Sequence, residues 1–236
     1  SNLKGLNLPL RSFEVEFGPS QFEITFQPMP ALEASDKMML FKNAVKQICR
    51  RHGYHATFMC RPGLENSFSS GWHLHQSLYS LKDGSNALAP KSSKEELSKV
   101  GTSFLAGLLE HAKASNLFTT PTINGYKRYK PNSLAPNRIV WGKDNKGAML
   151  RLVGAGTNDP ATRIENRVGE PAANPYLYMA SQLVSGIDGI DKKLSPPPPT
   201  EDPYTAKAEL LPKTILEAAE ELSKSSLYRE VLGDQF

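Results

Sequence analysis

The chain has 236 residues, of which 39% are hydrophobic and 22% charged, and a formal net charge of +4, so it is long enough for one large domain or two small ones. Its basic residues are scattered without a run of like charges, which argues against a nucleic-acid-binding tract, while the mild excess of Lys and Arg suits a pocket for anionic substrates. No apolar run reaches the ~18 residues of a membrane span, and Cys49 and Cys60 fit no metal spacing, so we expect a reduced, cytoplasmic protein without nucleic-acid or membrane partners.

The first patterned segment is FEVEFGPSQFEITFQ, in which apolar and polar residues alternate on both sides of a Gly-Pro-Ser turn. This pattern predicts a β-hairpin. The register that matches the apolar residues pairs Phe17 with Phe22 and places Glu16 opposite Glu23, with Glu14 one pleat further along. Side chains paired in this way lie roughly 5 Å apart, and like charges there destabilise the sheet. The hairpin therefore predicts a divalent cation held by carboxylate oxygens, the alternative being an edge hairpin with a solvated acidic face.

A helix and a strand are predicted after the hairpin. Ser35 or Asp36 caps the helix, and Gly53 ends it. The segment 55–61 has the pattern of a strand, and the loop that follows it, 62–70, is rich in Ser and Asn.

The segment WHLHQSLY is a second patterned strand, at 72–79. Its alternation places His73, His75 and Ser77 on one face. Neutral imidazole is a common metal ligand and protonated imidazole a phosphate donor, so two histidines pointing the same way favour metal or phosphate contacts. A lone histidine would more often be structural.

The remaining predicted elements alternate between helices and strands. In chain order they are a helix from Ser92 or Ser93 to about Ser115, a basic loop at 119–136, strands at 137–142 and 147–153 around a turn, a strand at 162–167, and helices at 172–194 and 211–224.

The strand TRIENR gives the chain a third charged strand face, with Arg163, Glu165 and Arg167 on one side. A structural ion triad is the alternative, although such triads are weak stabilisers. If the three strands share a sheet, acidic residues suited to metal and arginines suited to phosphate lie on one concave face. That combination suits phosphoryl transfer, in which catalysis is mainly positioning and charge neutralisation.

Several segments, in this order, resemble glutamine synthetase, specifically the C-terminal part of its catalytic domain. They are EFGPSQFE (16–23), SGWHLHQSL (70–78), NGYKRYKP (124–131), APNRIVWGKDNKGAMLR (135–151) and RIENRVGEPAANPYLYMASQLVSGIDGI (163–190). The resemblance implies a ligase that joins glutamate and ammonia with ATP through γ-glutamyl phosphate, using Mg²⁺ or Mn²⁺.

Carried over by position, the resemblance implies metal and nucleotide residues. It makes Glu16 and Glu23 ligands of a first metal, and His73 and Glu165 ligands of a second metal that bridges the nucleotide phosphates. Three further residues match positions that contact ATP in the family: His75, Ser77 and Arg163.

The resemblance also implies residues for the carboxylate substrate. Arg128 and Arg167 match arginines that hold glutamate and its phosphorylated γ-carboxyl, and Arg151 matches one that steadies the developing phosphate. Lys146 replaces an arginine of the family's Asn-Arg-Ser-Ala and is a further catalytic candidate, although Lys does not reproduce a bidentate arginine.

The departures from the family lie on the amino-acid and ammonia side. Leu134 stands where the family has a glutamate that closes over the site and helps take the proton from ammonium. Phe68 and Ser69 replace an asparagine–glycine pair that helps bind glutamate. Apolar Leu134 and Phe68 near the acceptor would favour a bulkier amine over ammonia, and a carboxylate other than glutamate is the other possibility.

The resemblance predicts an α+β fold, with a curved, mostly antiparallel sheet whose outer face is covered by helices. We interpret 1–236 as one catalytic-domain fragment without the family's N-terminal β-grasp domain, and expect it to be inactive alone, the full-length protein forming a homo-oligomeric ring. Two alternatives stay open: a non-catalytic structural or binding relative, and a guanidino phosphotransferase.

Overall fold

Two β-sheets and seven α-helices make up the part of the chain that the computed structural model describes, residues 2–130 and 133–235. The two-stranded sheet consists of β1 (Leu10–Val15) and β2 (Phe22–Phe26). The four-stranded sheet consists of β3 (Leu74–Gln76), β4 (Trp141–Lys143), β5 (Leu150–Val153) and β6 (Arg163–Asn166). The helices are α1 (Ala31–Arg51), α2 (Lys99–Glu110), α3 (Ala112–Thr119), α4 (Ile123–Tyr126), α5 (Pro175–Asp191), α6 (Ile215–Lys224) and α7 (Leu227–Leu232), and a short 3-10 helix spans Lys4–Leu6.

The four-stranded sheet has the order β3-β6-β5-β4. Strand β6 pairs antiparallel with both β3 and β5, whereas β4 pairs with β5 in parallel. The predicted α+β fold with a mostly antiparallel sheet is therefore confirmed. The parallel pair was not indicated by the sequence, because only a short turn separates its two strands.

Alternation along β5 and β6 gives this sheet one apolar and one charged face. Leu150, Leu152 and Ile164 are buried and belong to the same core cluster as Phe104 and Leu108 of α2. The charged residues between them face the opposite way, as successive side chains on a strand must. Helices thus cover one face, and the charged face is left for a site.

Helices α2 and α5 are in close contact through glycines. A side-chain carbon at Gly107 would clash with the Ser185 carbonyl and lie 2.9 Å from the Gly189 Cα. A side-chain carbon at Gly186 would clash with the Phe104 ring. Because glycine has no Cβ, the two helices approach backbone to backbone behind the sheet.

The hairpin formed by β1 and β2 is attached to α1 by aromatic contacts. Phe26 lies edge-on to Phe41, with ring centroids 5.2 Å apart, and Phe41 also contacts Phe58 at 5.8 Å. Towards the hairpin turn, Val15 and Phe17 are exposed. The apolar face of the hairpin is therefore only partly covered.

The hairpin forms as predicted, but its predicted register is wrong. Val15 pairs with Phe22 and Glu14 with Glu23, so Glu14 rather than Glu16 lies directly opposite Glu23. The difference is two residues, which keeps every side chain on its predicted face. Glu23 therefore faces another carboxylate, as the predicted cation site requires, but that carboxylate belongs to Glu14.

The predicted strand at 55–61 is wrong, and the strand predicted at 72–79 is reduced to β3. The segment 55–61 has no partner strand among the described residues. Its Phe58 packs instead against Phe41 and Trp72, with ring centroids 5.8 and 6.2 Å away. An apolar side chain of this segment is therefore packed against α1 and Trp72 instead of facing the core from a strand.

Four helix starts differ from prediction: the helices predicted to begin at 172 and 211 start at Pro175 and Ile215, and the other two differ in their capping serines. Helix α1 begins four residues before Ser35, whose hydroxyl donates back to the Ala31 carbonyl at 3.1 Å. Helix α2 begins after Ser98, whose side chain accepts the Gly101 N–H at 3.0 Å, rather than after Ser92 or Ser93. Each of these serines satisfies a backbone group, so the sequence alone did not distinguish the caps.

The basic loop predicted at 119–136 contains the end of α3 and all of α4. Pro131, the last residue of NGYKRYKP, and Asn132 lie outside the described residues. No helix in 2–130 or 133–235 has both the length and the hydrophobicity needed to cross a membrane.

Beside α4, the buried carboxyl of Glu170 predicts a pH dependence of stability. Its Oε1 accepts from the Thr122 N–H at 2.9 Å and hydroxyl at 2.7 Å, while its Oε2 is buried without a hydrogen-bond partner in the described chain. Burial raises the Glu170 pKa above its ordinary value, although the Thr122 hydrogen bonds act in the opposite direction. The folded state therefore binds this proton more tightly than the unfolded state does, and stability is lost as pH rises through the folded pKa.

We expect Glu170→Gln, which cannot titrate, to gain stability relative to the wild type as pH rises from 5 to 8. Urea unfolding at several pH values measures the difference. The exposed Glu65→Gln is the control and should follow the wild type at every pH. Parallel curves for Glu170→Gln and the wild type would contradict the prediction.

Candidate active site

The charged face of the four-stranded sheet is centred on Glu165 of β6, which is 2% exposed. In the register of the sheet, His75 of β3 and Arg151 of β5 lie directly opposite Glu165 on either side. The three side chains form a row across three neighbouring strands. Of the three charged segments predicted to share a sheet, the strands that carry His75 and Glu165 do so, and Arg151 lies on a third strand of the same sheet. The hairpin is not part of it, because β1 and β2 form a separate two-stranded sheet.

Four basic side chains converge on the Glu165 carboxylate. Arg167 Nη1 donates to Oε1 at 2.6 Å, and Arg151 Nη1 donates to Oε2 at 3.1 Å. His73 Nδ1 lies 3.3 Å and His75 Nε2 3.6 Å from Oε1. Bonds between charged groups in a buried position are strong and fix the geometry of this cluster.

Both imidazoles of the cluster are disposed to be neutral. Burial lowers the His73 pKa well below its ordinary value, and the charges of Arg167 and Arg128 lower it further. Burial also lowers the His75 pKa, against the opposing effect of Glu165. Neutral imidazole is the form that binds a metal ion.

Arg163 fixes the tautomer of His75. Its Nε donates to His75 Nδ1 at 3.1 Å, and its Nη1 donates to the Ala161 carbonyl at 2.9 Å. A neutral His75 therefore carries its proton on Nε2, the nitrogen that faces Glu165. Ser77, the third predicted ATP contact, lies half-buried one residue past the end of β3.

Gly71 makes room for His73. A side-chain carbon at this position would lie 2.6 Å from His73 Nε2 and 2.9 Å from Arg128 Nη2. A larger residue here would require His73 or Arg128 to shift. The His73 nitrogen that does not face Glu165 is thus left without a crowding side chain.

The hairpin supplies the acidic side of the site. Burial raises the Glu23 pKa, and so do the charge and hydrogen bond of Glu16 and the charges of Glu14 and Glu165. The Glu165 charge therefore reaches the hairpin, which places the two acidic groups in one neighbourhood. Repulsion among these carboxylates is the condition that a bound cation relieves.

The predicted metal ligands do not form a complete coordination shell by themselves. Within 2–130 and 133–235, no three His, Cys, Asp or Glu side chains are arranged to hold a metal ion. The Glu165 carboxylate is engaged by Arg151 and Arg167. The metal sites stay a prediction, and the uncompensated charge at Glu16 and Glu23 is the feature that fits a hard divalent cation.

Arg167 and Arg128 are both buried, and both bind backbone carbonyls. Arg167 Nε donates to the Lys146 carbonyl at 2.8 Å and its Nη2 to the Leu134 carbonyl at 3.4 Å. Arg128 donates from Nη1 to the Val168 carbonyl at 2.7 Å, and also to the carbonyls of residues 167 and 169. Arg128 thereby fixes the segment that follows β6.

The residues that depart from the family pattern contact different neighbours. Phe68 is 54% exposed and packs against Phe17 of the hairpin at 6.0 Å. Leu134 is 48% exposed and contributes its carbonyl to Arg167. Lys146 is exposed and also contributes its carbonyl to Arg167. The predicted roles of these three residues in acceptor choice and catalysis stay predictions.

Asp144 was missed by sequence reasoning. It lies in the turn between β4 and β5, and its Oδ1 accepts from Arg151 Nε at 2.8 Å and from Nη2 of the same guanidinium. Its position in a turn after a strand gave no signal by itself. Because Asp144 lies in a turn and Arg151 in a strand, neither helix nor strand periodicity relates the two positions.

Comparison with known proteins supports the resemblance to glutamine synthetase that the sequence motifs indicate. The family model described as the glutamine synthetase catalytic domain matches residues 1–236. The chain is 53% identical over 233 residues to a γ-glutamylanilide synthase of an Acinetobacter species, covering 98% of this chain and 46% of that protein. It is 38% identical over 241 residues to a glutamine synthetase of Thermus thermophilus, covering 98% of this chain and 53% of that protein.

A solved structure supports the fold. A solved GmaS/ADP complex superposes with a TM-score of 0.87 at 32% identity, covering 98% of this chain and 54% of that one. The chain spans about half the length of the curated relatives that it matches. On this extent of similarity, the chain belongs to the glutamine synthetase family.

Proposed function

We propose that the protein carrying this chain is an ATP-dependent ligase that joins the γ-carboxyl of glutamate to an amine, with an aromatic amine of the aniline type as the preferred acceptor. In the first step, a carboxylate oxygen attacks the γ-phosphorus of ATP and ADP leaves. In the second, the amine attacks the acyl carbon and phosphate leaves. The observation that carries the proposal is the convergence of Arg151, Arg167, His73 and His75 on Glu165.

The cluster supports phosphoryl transfer because that chemistry needs positioned charge more than covalent catalysis. We assign Arg151 to the transferred phosphoryl group, and His75, Ser77 and Arg163 to ATP. Arg167, held at three points, keeps a fixed orientation toward the γ-carboxyl. Within 2–130 and 133–235, the carbonyl contacts of Arg128 use only its two terminal nitrogens, which leaves its Nε–H for the substrate carboxylate.

Glu16, Glu23, His73 and Glu165 would hold the divalent ions. Bound Mg²⁺ or Mn²⁺ would neutralise the phosphates of ATP. The chain's own contribution is to present carboxylates whose mutual repulsion raises the Glu23 pKa, with burial as the larger cause, and imidazoles that burial keeps neutral.

The acceptor assignment draws on Leu134 and on the relative at 53% identity, whose name gives γ-glutamylanilide as its product. The glutamine synthetase of Thermus thermophilus is 38% identical to this chain. Leu134 adopts a left-handed backbone conformation with φ of 55°, and its half-exposed side chain offers apolar surface where the family has a carboxylate. An apolar side chain cannot help deprotonate ammonium, and it suits an arene.

We expect the full-length protein to make γ-glutamylanilide from glutamate, aniline and ATP faster than it makes glutamine from ammonia. Mass spectrometry of the product and release of ADP measure the two rates. Leu134→Glu should shift the ammonia-to-aniline rate ratio at least tenfold toward ammonia, because it restores a carboxylate at the acceptor side. Leu64→Glu, which also places a charge on an exposed leucine, is the matched control.

Absence of both amide products, together with no heat of binding for Mg²⁺ and ATP, would overturn the proposal and favour a non-catalytic relative. Transfer of phosphate to a guanidine without amide formation would favour a phosphotransferase instead. The cytoplasmic location and the homo-oligomeric ring belong to the same proposal.

A further inference from the structure

Asp144 has no role in the proposed function, yet it accepts from two nitrogens of Arg151, the arginine assigned to the transferred phosphoryl group. The Asp144 side chain is 75% exposed, whereas Arg151 is 17% exposed. Arg151 is therefore held between a buried carboxylate, Glu165, and one at the surface. An exposed ion pair contributes little to stability, so the contact with Asp144 is better explained by orientation than by folding.

The donor count of Arg151 shows what this orientation leaves free. A guanidinium has five N–H groups. One on Nε and one on Nη2 are directed to Asp144, and one on Nη1 is directed to Glu165. Within the described part of the chain, two N–H groups remain, one on each terminal nitrogen. Both can donate to phosphate oxygens.

The turn that carries Asp144 is itself anchored. Asn145 Nδ2 donates to the Glu201 carbonyl at 2.9 Å, and its Oδ1 accepts the Gly147 N–H at 3.0 Å. The Asp144 N–H donates to the Leu152 carbonyl at 2.9 Å. The carboxylate is thus presented from a fixed backbone rather than from a free loop.

The backbone of Asp144 is left-handed, with φ of 47°. Few residues other than Gly, Asn and Asp adopt this conformation readily, so the choice of residue here is narrow. Among these three, only Asp supplies a charged acceptor for a guanidinium. Gly or Asn at position 144 therefore removes the charge and keeps the left-handed backbone conformation.

We propose that Asp144 is a positioning residue that holds the Arg151 guanidinium so that its two remaining N–H groups bind phosphate. The inference rests on the proposed function for the identity of the natural phosphate donor. The inferred contact joins Arg151 to any phosphate oxygen, so it can be tested without catalytic turnover.

The test is a titration of the ¹⁵N-labelled 236-residue chain with inorganic phosphate, followed by the Arg151 Nε–H resonance. Loss of that resonance in Arg151→Lys assigns it. We expect Asp144→Gly to weaken phosphate binding at least fivefold, Asp144→Asn to weaken it less, and both to keep the wild-type melting temperature. Asp191→Asn, at an exposed aspartate at the end of α5, is the control and should leave phosphate binding unchanged.

In the full-length protein, the same variants should lower kcat and leave KM for glutamate unchanged. The inference is overturned if phosphate does not shift the Arg151 resonance, if Asp144→Gly binds phosphate within twofold of the wild type, or if kcat is unaffected in an active ligase. A protein that binds phosphate in this Asp144-dependent way but forms no γ-glutamyl amide would overturn the proposed function alone.

Discussion

Glu165→Ala should lower the free energy of unfolding by about 3–5 kcal/mol, as expected when one partner of a buried ion pair is removed. The substitution removes the carboxylate that pairs with the buried Arg167. It also removes the group that Arg151, His73 and His75 share. We expect ligase activity of the full-length protein to fall at least a hundredfold as well. Urea unfolding followed by tryptophan fluorescence measures the stability change.

Glu96→Ala is the matched control for this prediction. Glu96 pairs with Lys143, and both side chains are about half exposed. A surface pair of this kind contributes roughly 0–1 kcal/mol, so the control should unfold close to the wild type. Equal losses in Glu165→Ala and Glu96→Ala would show that the buried cluster does not hold the sheet together.

Gly107→Ala should be the second severe substitution, with a loss of about 3 kcal/mol, at the upper end of the usual penalty for overpacking. Alanine favours a helix over glycine by about 1 kcal/mol, so helix propensity alone predicts the opposite sign. The clash decides the outcome, because the new methyl group meets the Ser185 carbonyl and the Gly189 backbone of α5. Backbone atoms cannot rotate away as a flexible side chain does.

Gly63→Ala separates this clash from any general effect of replacing glycine. A side-chain carbon at Gly63 would meet no atom within 4 Å, and the unfolded chain becomes less flexible, so we expect a small gain in stability. Thermal unfolding by circular dichroism compares the two variants. A stable Gly107→Ala would mean that α2 and α5 can separate at little cost.

The charged strand faces could be predicted because the alternation of residues is visible within each strand separately. Alternation places Arg163 and Glu165 on one face of β6 and His75 on one face of β3, whatever the rest of the fold does. The sequence predicts that these side chains converge only if their strands share a sheet, because strand order depends on the tertiary structure. The structure supplies it through the antiparallel pairing of β6 with both neighbours.

The hairpin register could not be chosen from the residues. A slip of two positions preserves the alternation, so Glu14 and Glu16 are equivalent candidates to face Glu23. The irregularity between Leu10 and Ser12 shows that β1 also contains an extra residue relative to β2. Local alternation does not report such a bulge.

The misplaced helix start shows a second limit of local reasoning. Ser92 or Ser93 followed by an acidic residue has the form of a capping box, but Glu96 is used by Lys143 in a distant ion pair. The cap that the structure uses is Ser98. Both positions offer a serine able to cap a helix, and long-range contacts select between them.

The cluster around Glu165 is assembled from parts of the chain that are far apart in sequence. His75 and Arg163 are separated by 88 positions, so the ring of contacts closes only when a long loop has closed. Such non-local contacts form slowly during folding. A chain that has collapsed around α2 and α5 without docking β3 onto β6 therefore has a core but no assembled Glu165 cluster, and the contact between His75 and Arg163 should form after the helices during refolding.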